Sequence, residues 1–567
     1  MKKILYVPLD DRPVNLDDVI VQGRSAGIEV ITPNINDIQN RLDTQKTISE
    51  STLLGTSSPR FGQTSNIRKF ILNNASNVDG FIISTDMLAY GGLIGSRRLR
   101  ASGGGDFPHY DDVTTKLLDV IREIKECYPS KPIYVMDTIM RLATSAYVEG
   151  QNYDAYTESR AFNQQARKSY SDFNDILNGY NVKPDDTHVE DAVYFDKEQY
   201  YNARRHKFKT NYYILDQLAR LGYIDFLAIG VDDSSTQGVQ ANEISFIEGR
   251  INEWLGGTEG QNPDRAIILP DADGLGHSLI ARMAKHFYRH EVKPKYMVQY
   301  YGPHGSTIIN SYEYMTVHEN IQRHIDIIGG QFVTSGPYDL EIIAITDANQ
   351  VSSAVSRIQS NSNDRIPTVV IDFVANGAAN GTVTEALLES PFTGGILGYS
   401  AWNTAGNKIG IALGMGQARH TYLVTEKHAK SLQKAVNAHG SLLFKRFLKD
   451  YYYKAIAIAE IRTYARAHTL YTNVLYPDQN MILFNSASDY TVMTTLLRDR
   501  MQTHTNTLAG KNAFRIGSST AATNVRQISD STWTYAMYHS VSLPNTNPNF
   551  MWGRVFEITL SPIVTMK

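Results

Sequence analysis

The sequence predicts an α/β protein, a (β/α)8 TIM-type barrel with helical insertions and a mainly helical C-terminal domain, and three observations predict it. Over the first 410 residues, short β-branched runs alternate with helical patterns. The runs are continuously apolar, as strands covered on both faces are. Each run also stops abruptly at polar or acidic residues, the placement expected where functional groups gather at the C-terminal ends of parallel strands.

Taken in order, Ile4–Leu9 precedes Asp10-Asp11-Arg12 and Phe81–Ile83 precedes Ser84-Thr85-Asp86. Ile133–Met136 precedes Asp137, and Phe226–Val231 precedes Asp232-Asp233. Ala266–Leu269 leads to Asp271-Ala272-Asp273-Gly274, and Tyr296–Tyr300 to Gly302-Pro303-His304-Gly305. Thr368–Ile371 meets Asp372 and then Asn376-Gly377, and Gly395–Tyr399 meets Trp402-Asn403. Eight such units predict closure into a barrel. Weaker runs at Ile28–Thr32 and Glu341–Thr346 keep an alternative open, two doubly wound parallel sheets in tandem. The domain reading is a catalytic (β/α)8-like unit over 1–410, with a polar helical insertion at about 147–221. Residues 411–567 read as a mainly helical C-terminal domain, with helical patterns at Ala429–Phe447 and Tyr453–Ala467 and an edge strand at Phe556–Leu560.

Composition narrows the function. A formal net charge of −3 argues against a nucleic-acid surface. No apolar stretch reaches the roughly 18 residues of a membrane span, so no membrane partner is expected. The single cysteine, Cys127, excludes an internal disulfide. The apolar run after Met1-Lys2-Lys3 ends at Asp10, too soon for a signal core, and the expected location is cytoplasmic. Thirty-four tyrosines offer rings with hydrogen-bonding tips, which suit sugars and other polar rings. They also suit half-buried packing positions.

Candidate catalytic residues are Asp232 and Asp233, adjacent carboxylates at the end of a buried strand, where mutual repulsion raises at least one pKa. Their structural alternative is a helix N-cap. Trp402, Asn403 and Asn407 offer a stacking face and side-chain amides for a ligand, or a core anchor and a turn. Asp10, Asp11 and Arg12 are candidate ligands for hydroxyls, or a structural Arg–Asp pair. Asp86, Tyr90, Asp137, Arg141, Tyr301 and Asn376 complete the set of expected substrate-binding residues at strand ends. Asp271, Asp273, His277 and His304 are a rival metal set, but no H-E-x-x-H or clustered Cys/His spacing supports it. No Walker A loop, dinucleotide fingerprint or G-x-S-x-G elbow occurs, and no cofactor or metal is expected.

The motifs Tyr6–Asn15, Ser84–Arg97, Gly398–Asn407 and Trp552–Glu557 together resemble a bacterial family known as domain of unknown function 4127, over essentially the whole chain. That family label implies no reaction. In layout, an Asp-Asp pair ending the fourth strand with Trp and Asn late in the fold is similar to the glycoside hydrolase family 84 hexosaminidases. The similarity implies an exo-acting β-N-acetylhexosaminidase with substrate-assisted retaining catalysis; the acidic first-strand motif could grip either epimer, and galactosamine is the expected one. Asp232 would orient the substrate's acetamido group, and Asp233 would serve as general acid and base. The expected partner is a carbohydrate bearing an N-acetylhexosamine, and a homo-oligomer is left open. Two other readings stay open, a metal-dependent hydrolase of a polar small molecule and a non-catalytic carbohydrate-binding protein.

Overall fold

The computed structural model describes residues 1–42, 59–146, 148, 149, 151, 153–468, 487–530, 532–552 and 554–567. Tyr147, Gly553 within the Trp552–Glu557 motif, and 469–486 of the C-terminal region lie outside the described residues. The chain is an α/β protein, and its predicted strands fall into two open sheets rather than one closed barrel. The first sheet contains β1 (Lys2–Val7), β2 (Ile28–Ile31), β3 (Gly80–Ser84), β4 (Ile133–Ile139), β5 (Phe226–Val231), β6 (Gln261–Asn262) and β7 (Ala266–Pro270). Its order is β2-β1-β3-β4-β5-β7-β6, parallel except for β6 against β7. The second contains β8 (Lys295–Tyr301), β9 (Gln331–Phe332), β10 (Leu340–Ile345), β11 (Thr368–Asp372) and β12 (Gly398–Ser400). Its order is β12-β11-β10-β8-β9, parallel throughout.

The two weaker runs explain the difference from a barrel. Ile28–Ile31 pairs with β1 on the side away from β3, and Leu340–Ile345 inserts between β8 and β11. Each sheet therefore reverses its winding once, beside β1 and beside β8. Such reversals create crevices at the C-terminal strand ends. The strands are buried on both faces: every residue of β3, β4, β5, β7, β10 and β11 is buried.

One helix, Ala405–Thr425, joins the two sheets. Gly406, Gly410 and Gly414 recur every fourth residue, which aligns them on one helix face. A Cβ on Gly406 would lie 1.9 Å from the Pro270 carbonyl oxygen, and one on Gly410 would lie 2.8 Å from the Gly274 Cα. A Cβ on Gly414 would lie 2.5 Å from the His277 carbonyl carbon. The stripe thus lets this helix touch the backbone of the segment that follows β7, including helix Leu275–Tyr288. On its other side Gly398, at the start of β12, packs against the Ala412 carbonyl.

Helices Tyr153–Asn163, Phe173–Asn178 and Lys197–Tyr213 occupy the predicted insertion. After β12 come helices Ala429–Phe447, Ile458–His468 and Ala487–Gly510, and then β13 (Thr523–Ser529), β14 (Thr532–Ser542), β15 (Phe550–Met551), β16 (Arg554–Ile558) and β17 (Ile563–Met566). β13, β14 and β17 form an antiparallel sheet. No described helix is long and apolar enough to cross a membrane.

Candidate functional site

Parallel register brings the first two site residues together. Ile139 on β4 pairs with Val231 on β5, so Arg141 and Asp233, each two residues further on, leave the sheet side by side. Arg141 Nη1 lies 3.4 Å from Asp233 Oδ2. Its remaining donors hold the Ala143 and Thr144 carbonyls at 3.2 and 2.6 Å, which fixes the guanidinium. Both residues line a cavity of about 410 Å³ between the C-terminal strand ends of the two sheets. Ser311 and Tyr312 enter it after β8, Asn376 after β11, Asn403 and Thr404 after β12, and Arg554 and Phe556 from β16. Tyr153 and Tyr156 come from the helical insertion.

Backbone strain concentrates here. Asp233, Tyr312 and Asn403 have φ of 36°, 68° and 136°, in the half of conformational space that side chains disfavour. Strain of this kind costs about 1–3 kcal/mol per residue and persists where the surroundings over-determine it. The surroundings do so. Ser234 donates both its backbone N–H and its hydroxyl to the Tyr312 carbonyl, at 2.9 and 3.0 Å. Arg160 lies 4.0 Å over the Tyr312 ring. These contacts clip the first sheet's Asp233 turn to the second sheet's Tyr312 turn across the cleft.

Asp232 faces the other way. Its carboxylate is buried in an ion pair with Arg97, and its backbone carbonyl accepts from Gln240 at 2.9 Å. Burial, opposed by Arg97, raises its pKa. The adjacent pair is therefore divided, with Asp233 in the cavity and Asp232 in the protein interior. That division corrects the expectation of two catalytic carboxylates.

The expected binding residues separate as well. Arg141, Asn376 and Asn403 line the cavity. Asp10 and Arg12 form a closed clamp with Asp273: the Arg12 guanidinium reaches Asp10 at 2.8 Å and Asp273 at 2.6 Å. Asn15 bridges the same two carboxylates at 2.9 and 3.0 Å. Asn407 accepts from the backbone N–H groups of Ala272 and Asp273, tying the helix start to the end of β7. Trp402 is fully buried among Val14, Ile411 and Phe556, with Lys449 4.6 Å over its ring, so it presents no face to a ligand. Asp86 and Asp137 are buried around Lys207 at 3.1 and 2.8 Å. Tyr90 is bonded to His206 and Thr210 at 2.8 and 2.6 Å. Tyr301 ends β8, half-buried, outside the cavity wall. Asp10, Arg12, Asp273, Asp137 and Tyr90 thus spend their polar groups on one another or on neighbouring side chains, as burial requires.

Asp11 is intermediate. It is buried next to Asp10, and its Oδ1 accepts from the Trp552 indole at 3.0 Å. Burial, then repulsion from Asp10, push its pKa up to about 7. Among the described residues no group of three His, Cys, Asp or Glu side chains is placed to hold a metal ion. The rival metal set is dispersed: Asp271 meets His324, Asp273 meets Arg12, His277 meets Gln22, and His304 is exposed.

Sequence reasoning missed Glu313. It follows Tyr312, is buried, and accepts from the Gly406 N–H at 2.8 Å. Burial raises its pKa well above the usual carboxyl range, and Asp271 and Asp233 add to the shift. A buried carboxyl whose charged form is disfavoured therefore sits behind the Thr404 wall of the cavity. Its local sequence, Asn310-Ser-Tyr-Glu-Tyr314, gives no period or motif that would mark it. Arg554 stood within the Trp552–Glu557 motif without a site role, and the tyrosines from the insertion were unmarked, because only tertiary folding brings them to the strand ends.

Three comparisons with known proteins bear on this site. The model of a family described as protein of unknown function (DUF4127) matches residues 4–561. A search of curated proteins gives no match. Among solved structures, a complex of a UDP-glucosyltransferase from Polygonum tinctorium capable of glucosylating indoxyl, with 3,4-dichloroaniline, is similar at 8% identity and a TM-score of 0.18. That alignment covers 79% of this chain and 98% of the other, and at that score it carries no argument.

Proposed function

The chain belongs to the family of proteins of unknown function DUF4127, and from its cleft we propose that it is a glycoside hydrolase removing a terminal β-N-acetylhexosamine, with a preference for the galactosamine epimer. The observation that carries this reading is the cavity itself. A volume of about 410 Å³ lies in the range of small-ligand clefts. Its wall combines one carboxylate, Asp233, with tyrosine rings and the amides of Asn376 and Asn403. Aromatic faces and paired amide donors and acceptors suit a sugar ring and its acetamido group.

The single carboxylate in the wall supports substrate-assisted chemistry. Two-carboxylate retaining enzymes place their carboxyl groups about 5–5.5 Å apart on either side of one bond. Asp232 is turned into its pair with Arg97 and is unsuited to that second role. In the proposed reaction the substrate's acetamido oxygen attacks C1, and the bond from C1 to the leaving oxygen breaks. Asp233 gives its proton to the leaving oxygen. The carboxylate then takes a proton from the water that opens the oxazoline at C1, which restores both groups. Asn376, Asn403 and Tyr312 orient the acetamido group, a task that the similarity to family 84 hexosaminidases had implied for Asp232. Asp232 and Arg97 act through the backbone, holding the strained Asp233 turn.

The test is hydrolysis of chromogenic β-GalNAc, β-GlcNAc, β-Gal and β-Glc glycosides. Cleavage confined to the N-acetylated sugars is expected. Equal cleavage of the non-acetylated sugars would remove acetamido participation, and silence across the panel would remove the assignment.

A further inference from the structure

A second groove, of about 340 Å³, lies at the opposite end of the second sheet, beside the N-terminal ends of β11 and β12. Pro367, Thr368, Gly395 and Ile396 form its floor, and β13 and β14 form one wall. Strand alternation along β14 turns Ala536 and Tyr538 into the core, both 1% exposed. The same alternation sends Trp533 and Tyr535 to the groove. Tyr535 is 44% exposed, whereas Trp533 is half-buried with one side packed on the core. Their ring centres are 6.4 Å apart at an angle of 49°, so the two rings form a shallow V rather than a stacked pair.

The rest of the wall decides what such rings would hold. Ser362, Asn363, Thr520 and Thr523 supply hydroxyl and amide groups, and none of the residues lining the groove is charged. That lining opposes a phosphate, carboxylate or basic peptide, each of which brings a charge that the groove leaves uncompensated. It also differs from a wholly apolar interface core, because these hydroxyl and amide groups share the lining with the rings and with Ile358, Ile366 and Phe392. We propose that this groove is an ancillary binding site for a neutral saccharide chain. The sugar's apolar ring faces lie on Trp533 and Tyr535, and its hydroxyls meet Ser362, Asn363, Thr520 and Thr523. The site is separate from the cleft at the C-terminal strand ends and does not depend on the reading of that cleft as a hydrolase. On a polymeric substrate it would hold the chain against the enzyme, and on a small glycoside it would have no effect.

Affinity electrophoresis tests this with native gels containing mixed-linkage β-glucan, galactomannan or glycol chitin. The full chain is compared with Tyr535→Ala and with Trp533→Ala/Tyr535→Ala. Retardation of the wild-type chain by at least one polymer is expected. Binding should be at least about tenfold weaker in the double variant and partly lost in Tyr535→Ala, whose exposed ring can be removed without disturbing the core. Circular dichroism and turnover of any small chromogenic substrate should be unchanged in both variants. No retardation by any polymer would overturn the proposal, and so would retardation that persists undiminished in Tyr535→Ala. Neither result would touch the cleft assignment, which rests on small-substrate hydrolysis.

Discussion

Replacing Lys207 by methionine tests the assignment of Asp86 and Asp137 to structure rather than to substrate. Lys207 is buried between two carboxylates that are themselves fully buried, with Nζ–O distances of 3.1 Å to Asp86 and 2.8 Å to Asp137. With an effective dielectric of about 20, charges at those distances attract by roughly 5 and 6 kcal/mol. Desolvation of three charges offsets much of this attraction, so the net value of the cluster is far smaller than the sum. Removing one partner is different, because it leaves buried charge uncompensated, at a cost of about 3–5 kcal/mol. Lys207→Met should therefore lose about 3–5 kcal/mol in guanidinium unfolding. Combining it with Asp86→Asn and Asp137→Asn should recover most of that loss.

The pH dependence has a fixed sign. Burial already raises the Asp86 pKa, and loss of Lys207 removes a cation that opposes the rise. A carboxyl whose folded pKa lies above its unfolded value favours the folded state at low pH, and this contribution is lost as pH rises. The destabilisation should be largest near pH 8 and shrink toward pH 5. A loss below about 1 kcal/mol, or no recovery in the triple variant, would refute the reasoning.

Three further outcomes follow from the geometry. Asp11, with its pKa pushed up to about 7, should make the wild type progressively less stable between about pH 4 and pH 7. Asp11→Asn should match it at pH 4 and exceed it at pH 8 in melting temperature, and parallel curves would contradict this. Gly410→Ala should cost about 3 kcal/mol, because the new methyl meets the Gly274 backbone and the Asp271 carboxylate that His324 holds in place; an unchanged denaturation midpoint would contradict the close helix contact. Trp402→Ala should cost about 3–5 kcal/mol as a core truncation while leaving the KM of any substrate unchanged. A raised KM at unchanged stability would restore Trp402 to the binding site.

The strand inventory was legible in the sequence because buried parallel strands write themselves as apolar runs. All eight principal runs and both weaker ones are strands. Closure was not legible. Whether eight or ten strands form one barrel or two sheets depends on which neighbours pair, and Ile28–Ile31 and Leu340–Ile345 carry no mark that places them beside β1 and between β8 and β11. The helix at Ala429–Phe447 showed in its periodicity, and the helices of the insertion showed in its polar composition. The polar strand pair β13 and β14 did not, because its outward residues dilute the apolar signal.

The candidate site divides along the same line. Polar residues at strand ends were visible as a class, and the register of β4 and β5 delivers Arg141 and Asp233 to the cavity together. Which polar residues stay free for a ligand and which saturate one another is a tertiary property. Asp10, Arg12 and Asp273 close on themselves, and Asp232 closes on Arg97. The Gly406-Gly410-Gly414 stripe went unread in the sequence. Its meaning required knowing which backbone lies against it.

The most direct test of the central claim compares Asp233→Asn with the wild type on p-nitrophenyl and 2,4-dinitrophenyl β-N-acetylhexosaminides. The account predicts a native melting profile and a loss of about 10²–10⁴ in kcat on the nitrophenyl substrate. The loss should be smaller on the dinitrophenyl substrate, whose leaving group needs no proton. Wild-type turnover in Asp233→Asn, or equal losses on both substrates, would contradict the role given to Asp233.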